Sequence, residues 1–256
     1  MRLATIQSGS RDGRLVAVSR DGARYLAVGD AAPNLLSAIE DWDALGGIMQ
    51  EIAHRLDSGE GETLDPSRCA APLPRSWQWL DGSAFSTHGE LMQIAFGLDP
   101  IESEKPLMYQ GMSDRFYGPT DDVPLPSMEH GIDFEGEFGV IVDHVPMGTS
   151  AADAMKHIRL IVQINDWSLA PFAVTPDELG DAWQDGRVCL DLEIDWNGKR
   201  FGAANGREMD VGFHELVAHA AYTRDLVAGT VIGSGTVSNA DYAKVGSSCI
   251  SEIRAR

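Results

Sequence analysis

Glu135 and Glu137 stand one residue apart in the stretch GIDFEGEFGVIVD, residues 131–143, and their spacing is the clearest chemical signal in the chain. The stretch reads as a β-strand of period two. Ile132, Phe134, Phe138, Val140 and Val142 fall on one side, and Asp133, Glu135 and Glu137 fall together on the other. Like charges crowded on one strand face repel, so the pattern predicts either a solvated face or a cation held among the acids. Residues at i and i+2 of a strand stand roughly 7 Å apart at Cα, within reach of a shared ion. A hard divalent ion takes several oxygens, preferably anionic, at roughly 2.0–2.6 Å. Two further acids could supply them. Asp166 closes the apolar run IRLIVQIND, and Asp81 lies at a strand-to-turn junction in QWLDGSAFSTHGE, where His88 follows. Taken singly, each aspartate also reads as a turn or capping residue, and His88 as an exposed loop histidine.

The elements that must carry these residues point to a strand-dominated α+β class. Residues 1–70 alternate short strand patterns (RLVAVSR, ARYLAVGD) with RDG turns, then give the helical stretch LLSAIEDWDALGGIMQEIAHRL, for which Asn34 is a candidate N-cap. They read as a small N-terminal α+β domain, joined through the polar connector LDSGEGETLDPS to a larger domain over 71–256. In the larger part, Ser150 and Asp153 predict a capped short helix leading into IRLIVQIND. RVCLDLEIDWNGKRFG predicts a hairpin turning at Asn197-Gly198. AGTVIGSGTVSN predicts a buried strand meeting a glycine-rich loop that lacks the dinucleotide fingerprint. Trp77, Trp79, Trp167 and Trp183 are expected in the core.

Composition narrows the function classes. The 256 residues are 43% hydrophobic and carry a formal charge of −19 with no basic block, which argues against a nucleic-acid partner. The three cysteines form no CxxC pair, and no run is apolar enough for a membrane span or a secretion signal. A soluble, cytoplasmic protein with free thiols is the expectation.

Several ordered motifs together resemble the fumarylacetoacetate hydrolase family. LDGSAFSTH resembles its aspartate-to-histidine segment, PLMYQG a loop with a substrate-side tyrosine, IDFEGEFGV the Glu-x-Glu metal strand, INDWS the second aspartate, and GSGTVSN with GSSCISE the C-terminal loop and acid. The resemblance covers residues 72 onward and implies a mixed β-sandwich roll. It implies Asp81, Glu135, Glu137 and Asp166 as ligands of Mg²⁺ or Ca²⁺, with Mn²⁺ also acceptable. It implies His88 as the base that activates water, Glu252 as its orienting partner, and Tyr109 and Thr236 as groups holding substrate oxygens. An imidazole, which titrates near neutrality, suits the base role. The implied reaction is hydrolysis of a carbon–carbon bond in a β-diketo acid such as fumarylacetoacetate, in aromatic compound catabolism, by a homodimer. Decarboxylation of an oxo-acid, isomerisation of a hydroxymuconate-type dienoate on the same metal, and metal binding without turnover are the competing readings.

The pattern departs from the family where INDWSLA runs directly into PFAVTPDELGDAW. A segment that normally ends in a lysine near the ion is missing between Leu169 and Pro171, and the C-terminal strands are cut short. Either the sequence closes over a mobile lid, with a break in the chain between Leu169 and Pro171, or the loop has been lost and the enzyme is crippled; the break is the expectation.

Overall fold

The computed structural model describes residues 1–101 and 103–255. The N-terminal part contains β1 (Arg2–Ile6), β2 (Arg14–Val18) and β3 (Arg24–Ala27), then α1 (Leu35–Glu40), α2 (Trp42–Asp57), β4 (Glu62–Thr63) and β5 (Cys69–Ala70). Asn34 caps α1 as expected: its side chain accepts from the Ser37 amide in a reciprocal capping box. The helical stretch breaks at Asp41. Beyond it α2 buries Leu45, Met49, Ile52 and Leu56, one stripe at helical spacing.

The strands that follow are β6 (Trp79–Gly82), β7 (Met108–Gly111), β8 (Gly136–Val142), β9 (Ile158–Asn165) and β10 (Ser168–Val174). After them come β11 (Trp183–Gln184), β12 (Arg187–Val188), β13 (Asp191–Trp196), β14 (Lys199–Asn205) and β15 (Thr230–Gly233). Between them lie α3 (Ser86–Phe96), α4 (Ala151–Ala154) and α5 (Phe213–Ala220). Among the described residues, eleven strands form one sheet in the order β4-β3-β2-β1-β10-β9-β8-β15-β6-β7, with β5 added on β1. Within it β15 and β6 run parallel, and the other pairs are antiparallel. The β13–β14 hairpin turns on Asn197 (φ 51°) and Gly198 (φ 73°), the left-handed pair that matches strand twist. This is an α+β fold dominated by strands.

Each face of the sheet covers its own apolar core. Leu3, Leu15, Leu160, Val162, Val231 and Ile141 pack on one face with the α1 and α2 side chains. Leu80, Phe138, Val140, Val142 and Ile232 pack on the other with Phe213, Leu216 and Val217 of α5. The period-two reading of β8 therefore holds, but the strand begins at Gly136 and is buried on both sides. The solvated-face alternative fails at Glu137, whose exposure is 0%.

At the junction where a missing segment is expected, β9 and β10 lie close together. Asp166 and Trp167 form a two-residue turn between Asn165 and Ser168, and β10 continues from it without interruption. Pairing to β9 jumps from Leu169–Ile164 to Ala173–Val162, so Ala170, Pro171 and Phe172 bulge opposite the single residue Gln163. Proline has no amide to give the ladder, and a bulge is where a sheet tolerates it. Two of the tryptophans depart from expectation. Trp77 and Trp167 are exposed, whereas Trp79 is buried.

Candidate metal centre

Strand register brings the acids together. Gly233 of β15 lies between Asp81 of β6 and Gly139 of β8. Side chains alternate along a strand, so Asp81 shares a face with Trp79, Glu137 with Ile141, and Gly233 with Val231. Those three apolar residues all belong to the core on the α1–α2 side. Asp166 follows β9 in the parity of Val162 and Ile164, also on that side. Its amide donates to the Glu135 carbonyl at 3.2 Å. All four acids thus stand at one end of one sheet face. Gly233 matters here for its missing side chain. A Cβ at that position would stand 2.5 Å from Glu137 Oε2 and 2.6 Å from the Trp79 ring.

The electrostatics of the four acids are those of a crowded anionic site. The charges of Asp81 and Glu135 act on Asp166, and those of Asp81, Asp166 and Glu135 act on Glu137. Burial and the Glu135 charge push the Asp81 carboxyl up to about 6. Burial and the charges of Asp81 and Glu135 push Asp166 up to about 7, although the residue as a whole is exposed. Burial, then the charges of Asp81, Asp166 and Glu135, hold Glu137 well above the usual carboxylate range. Both Glu137 oxygens and Asp81 Oδ1 are buried without a hydrogen-bond partner. Unpaired buried carboxylates are costly, and a divalent cation is what would satisfy them. Carboxylate oxygens are the donor set of hard ions, so the residues fit such an ion. No three of these acids bring ligand oxygens within 4.8 Å of one another among the described residues.

His88 comes from α3. The helix entry is capped by Asp210, which accepts from the Ser86 amide at 2.6 Å and the Ser86 hydroxyl at 3.2 Å. Gly97, left-handed at φ 62°, ends the helix. His88 Nδ1 lies 3.0 Å from Glu252 Oε1, and the Ser247 hydroxyl donates to Glu252 Oε2. Glu252 is fully buried, which alone would raise its carboxyl, but the bonds from His88 and Ser247 outweigh burial and hold it below the usual range. Cys249 approaches the pair closely enough for its sulfur, an imidazole nitrogen and a carboxylate oxygen to lie within 4.8 Å of one another. Burial raises that thiol, so it stays protonated and is a poor metal ligand.

Thr236, also buried, donates to Glu135 Oε2 at 2.9 Å. A cleft of about 840 Å³ joins these groups: Asp81, His88, Glu135 and Thr236 line it together with Phe85 and Met92. Tyr109 is set apart. It pairs with Asp81 in the β6–β7 register but is 68% exposed and outside the lining of that cleft. A separate cleft of about 460 Å³ beside β13 gathers neither His88 nor any of the four acids. Sequence reasoning missed Ser247 and Asp210. The Asp210 bond is formed across the fold and the Ser247 bond within the C-terminal turn, and only the first serine of SSCISE and the aspartate before VGF hint at capping roles.

One mixed sheet carries four acids at one end, with a His–Glu pair on the same cleft. Residues 78–170 and 168–255 match the fumarylacetoacetate (FAA) hydrolase C-terminal family, and residues 1–75 match the fumarylacetoacetase N-terminal domain 2. The chain belongs to the fumarylacetoacetate hydrolase family. It is 29% identical over 178 residues to a 2,4-didehydro-3-deoxy-L-rhamnonate hydrolase from Sphingomonas sp. (strain SKA58), and the match spans 57% of this chain and 60% of that protein. Two solved structures share the fold. Maleylpyruvate hydrolase from Sphingobium sp. SYK-6, in complex with manganese(II) and pyruvate, has a TM-score of 0.68 at 18% identity, covering 97% of this chain and 90% of that one. The 5-carboxymethyl-2-hydroxymuconate delta-isomerase from Mycobacterium smegmatis has a TM-score of 0.61 at 18% identity, covering 92% and 87%. No helix among the described residues is long and apolar enough to cross a membrane.

Proposed function

We propose that this protein is a divalent-metal-dependent hydrolase that cleaves a carbon–carbon bond in a β-diketo acid, of which fumarylacetoacetate is the type. The observation that carries this reading is the pairing of His88 with buried Glu252 beside four acids, of which Glu137 and Asp81 have buried oxygens without a partner. Asp81, Glu135, Glu137 and Asp166 would hold Mg²⁺, Ca²⁺ or Mn²⁺, which supplies polarisation of the substrate's chelating oxygens. The manganese complex of the related maleylpyruvate hydrolase supports an ion of this kind.

The residues of the chain divide the remaining work. Glu252, held ionised, accepts from Nδ1 of His88 and so leaves Nε2 as the basic nitrogen. Nε2 takes a proton from water as the water oxygen attacks the carbonyl carbon. The bond to the neighbouring carbon then breaks, and the departing carbon keeps the electron pair until it is protonated. Thr236 fixes Glu135 by its hydroxyl, and the apolar side chains Phe85, Met92, Leu98 and Ile101 line the cleft where a tail can lie away from water. A paired, oriented base favours hydrolysis over decarboxylation, which needs no water to be activated.

The experiment is a substrate panel with added Mg²⁺, Mn²⁺ or Ca²⁺, read by product identity. It includes fumarylacetoacetate, maleylpyruvate, 2,4-didehydro-3-deoxy-L-rhamnonate, oxaloacetate and a hydroxymuconate. Two carboxylic acid fragments from a diketo acid support hydrolysis. Carbon dioxide from oxaloacetate alone, or isomerised dienoate alone, reassigns the site, and no turnover with any metal removes the enzymatic reading.

A further inference from the structure

Asp133 is the third acid of the strand-like stretch, and the cage does not use it. Its carboxylate instead reaches across the fold. Oδ1 accepts from the amides of Phe134 and Ile250, each at 2.7 Å. Oδ2 accepts from the Ser251 amide at 2.8 Å and from the Ser251 hydroxyl. Ile250 and Ser251 lie 117 and 118 residues away in sequence and open the 3-10 turn Ser251–Ala255, whose second residue is Glu252. The backbone carbonyl of Asp133 accepts from the Trp167 indole at 3.0 Å, one residue beyond Asp166. One residue therefore touches the segment before Glu135, the turn bearing Glu252 and the turn bearing Asp166.

We propose that Asp133 is a positioning residue, whose carboxylate fastens the Glu252 turn to the Glu135 segment and so holds the His88–Glu252 pair at a fixed place beside the carboxylate cage. What the pair does there rests on the reading under Proposed function; the clamp itself does not. An aspartate that accepts the first amides of a 3-10 turn is by habit a local fold device. Here the two sides it joins carry the base partner and a cage acid, and the bonds are to a charged acceptor, roughly twice as strong as neutral ones. Loss of the clamp frees the turn to shift, and a shift of about 1 Å at a base costs on the order of 100-fold in rate.

The test compares Asp133→Ala, Asp133→Asn and Ser251→Ala with the wild type in two readouts. In the metal-free proteins, amide hydrogen exchange is followed at Ile250 and Ser251 against Gly139–Val142 as an internal standard. With Mn²⁺ and the best substrate of the panel, kcat, KM and the Mn²⁺ affinity are measured separately. Asp133→Ala is expected to speed exchange at 250–251 at least about tenfold with the standard unmoved. It is also expected to lower kcat about 100-fold while KM and metal affinity stay within about threefold. Asp133→Asn, which keeps one acceptor oxygen, and Ser251→Ala, which removes one donor, should fall between. Should Asp133→Ala fail to fold, those two variants carry the comparison. Unchanged exchange at 250–251 overturns the proposal. So does an equal fall of kcat, metal affinity and thermal midpoint, which marks a merely structural aspartate. If the wild type turns over nothing, the functional reading fails, and the exchange result still decides the clamp.

Discussion

His88 meets Glu252 at 3.0 Å although 164 residues separate them in sequence. Because Glu252 is held ionised, it accepts, and Nδ1 of the imidazole carries the hydrogen. The ring is thereby fixed in one tautomer, with a single acceptor nitrogen left for chemistry. Neither residue belongs to the four-acid cage, so the base and the ion site can be disabled independently.

Replacing His88 by alanine should lower kcat by about 10²–10⁴-fold, the range ordinarily lost with a general base. Mn²⁺ binding by titration calorimetry should remain within about threefold of wild type, since the cage acids are untouched. Turnover near the wild-type level in this variant would remove His88 from the mechanism.

Glu137→Gln should separate stability from function. Glu137 is fully buried with both oxygens unpartnered, so the metal-free protein carries the cost of a crowded carboxylate. The amide removes that charge, and the metal-free variant is expected to be more stable by about 1 kcal/mol, while Mn²⁺ affinity drops. A metal-free variant less stable than wild type, by denaturant titration, would contradict the unpaired state of this acid.

The pH dependence follows from the same carboxyls. Asp81 and Asp166 titrate at about 6 and about 7, against 3.8 ordinarily, and Glu137 is also raised. Their contribution to stability is complete below the ordinary carboxylate value and is lost as pH rises through 6 and 7. Glu252, which is lowered, contributes in the opposite sense and loses its share on strong acidification. The metal-free thermal midpoint should therefore be higher near about pH 5 than near about pH 8, and Mn²⁺ should reverse that order. Apparent Mn²⁺ affinity should fall at least about tenfold on going from about pH 8 to about pH 6, as protons displace the ion.

Gly233→Ala probes the space beside the cage. Its Cβ would press on Glu137 Oε2 and the Trp79 ring inside a buried strand. Overpacking of this kind costs roughly 1–3 kcal/mol. Weakened metal binding should accompany it, because Glu137 must move. A variant with wild-type stability and affinity would mean that the strand relaxes freely there.

Local pattern made part of this legible. Alternation assigned Glu137 to the acid-bearing side of β8, a capping signal found Asn34, and Asn197-Gly198 announced its hairpin; the structure has each of these. What alternation could not say is which face was wet. The acid-bearing face of β8 turns toward the core packed by α1 and α2, and that depends on helices contributed by residues 35–57. The Asp133–Ser251 and Ser247–Glu252 contacts were invisible for a similar reason, since side chains that meet only after folding leave no periodic trace. The β9–β10 bulge left no signal either, since a register shift of three residues against one follows from pairing and not from the local pattern.

The pairing of β1 with β10 carries a liability of its own. β10 leaves the turn that holds Asp166, and β1 occupies its outer hydrogen-bonding edge at Ala173 and Val174. Stripping away the N-terminal strands would bare that edge as a template for other chains. Precipitation through strand addition, rather than a smaller working enzyme, is what such a trimmed form should yield.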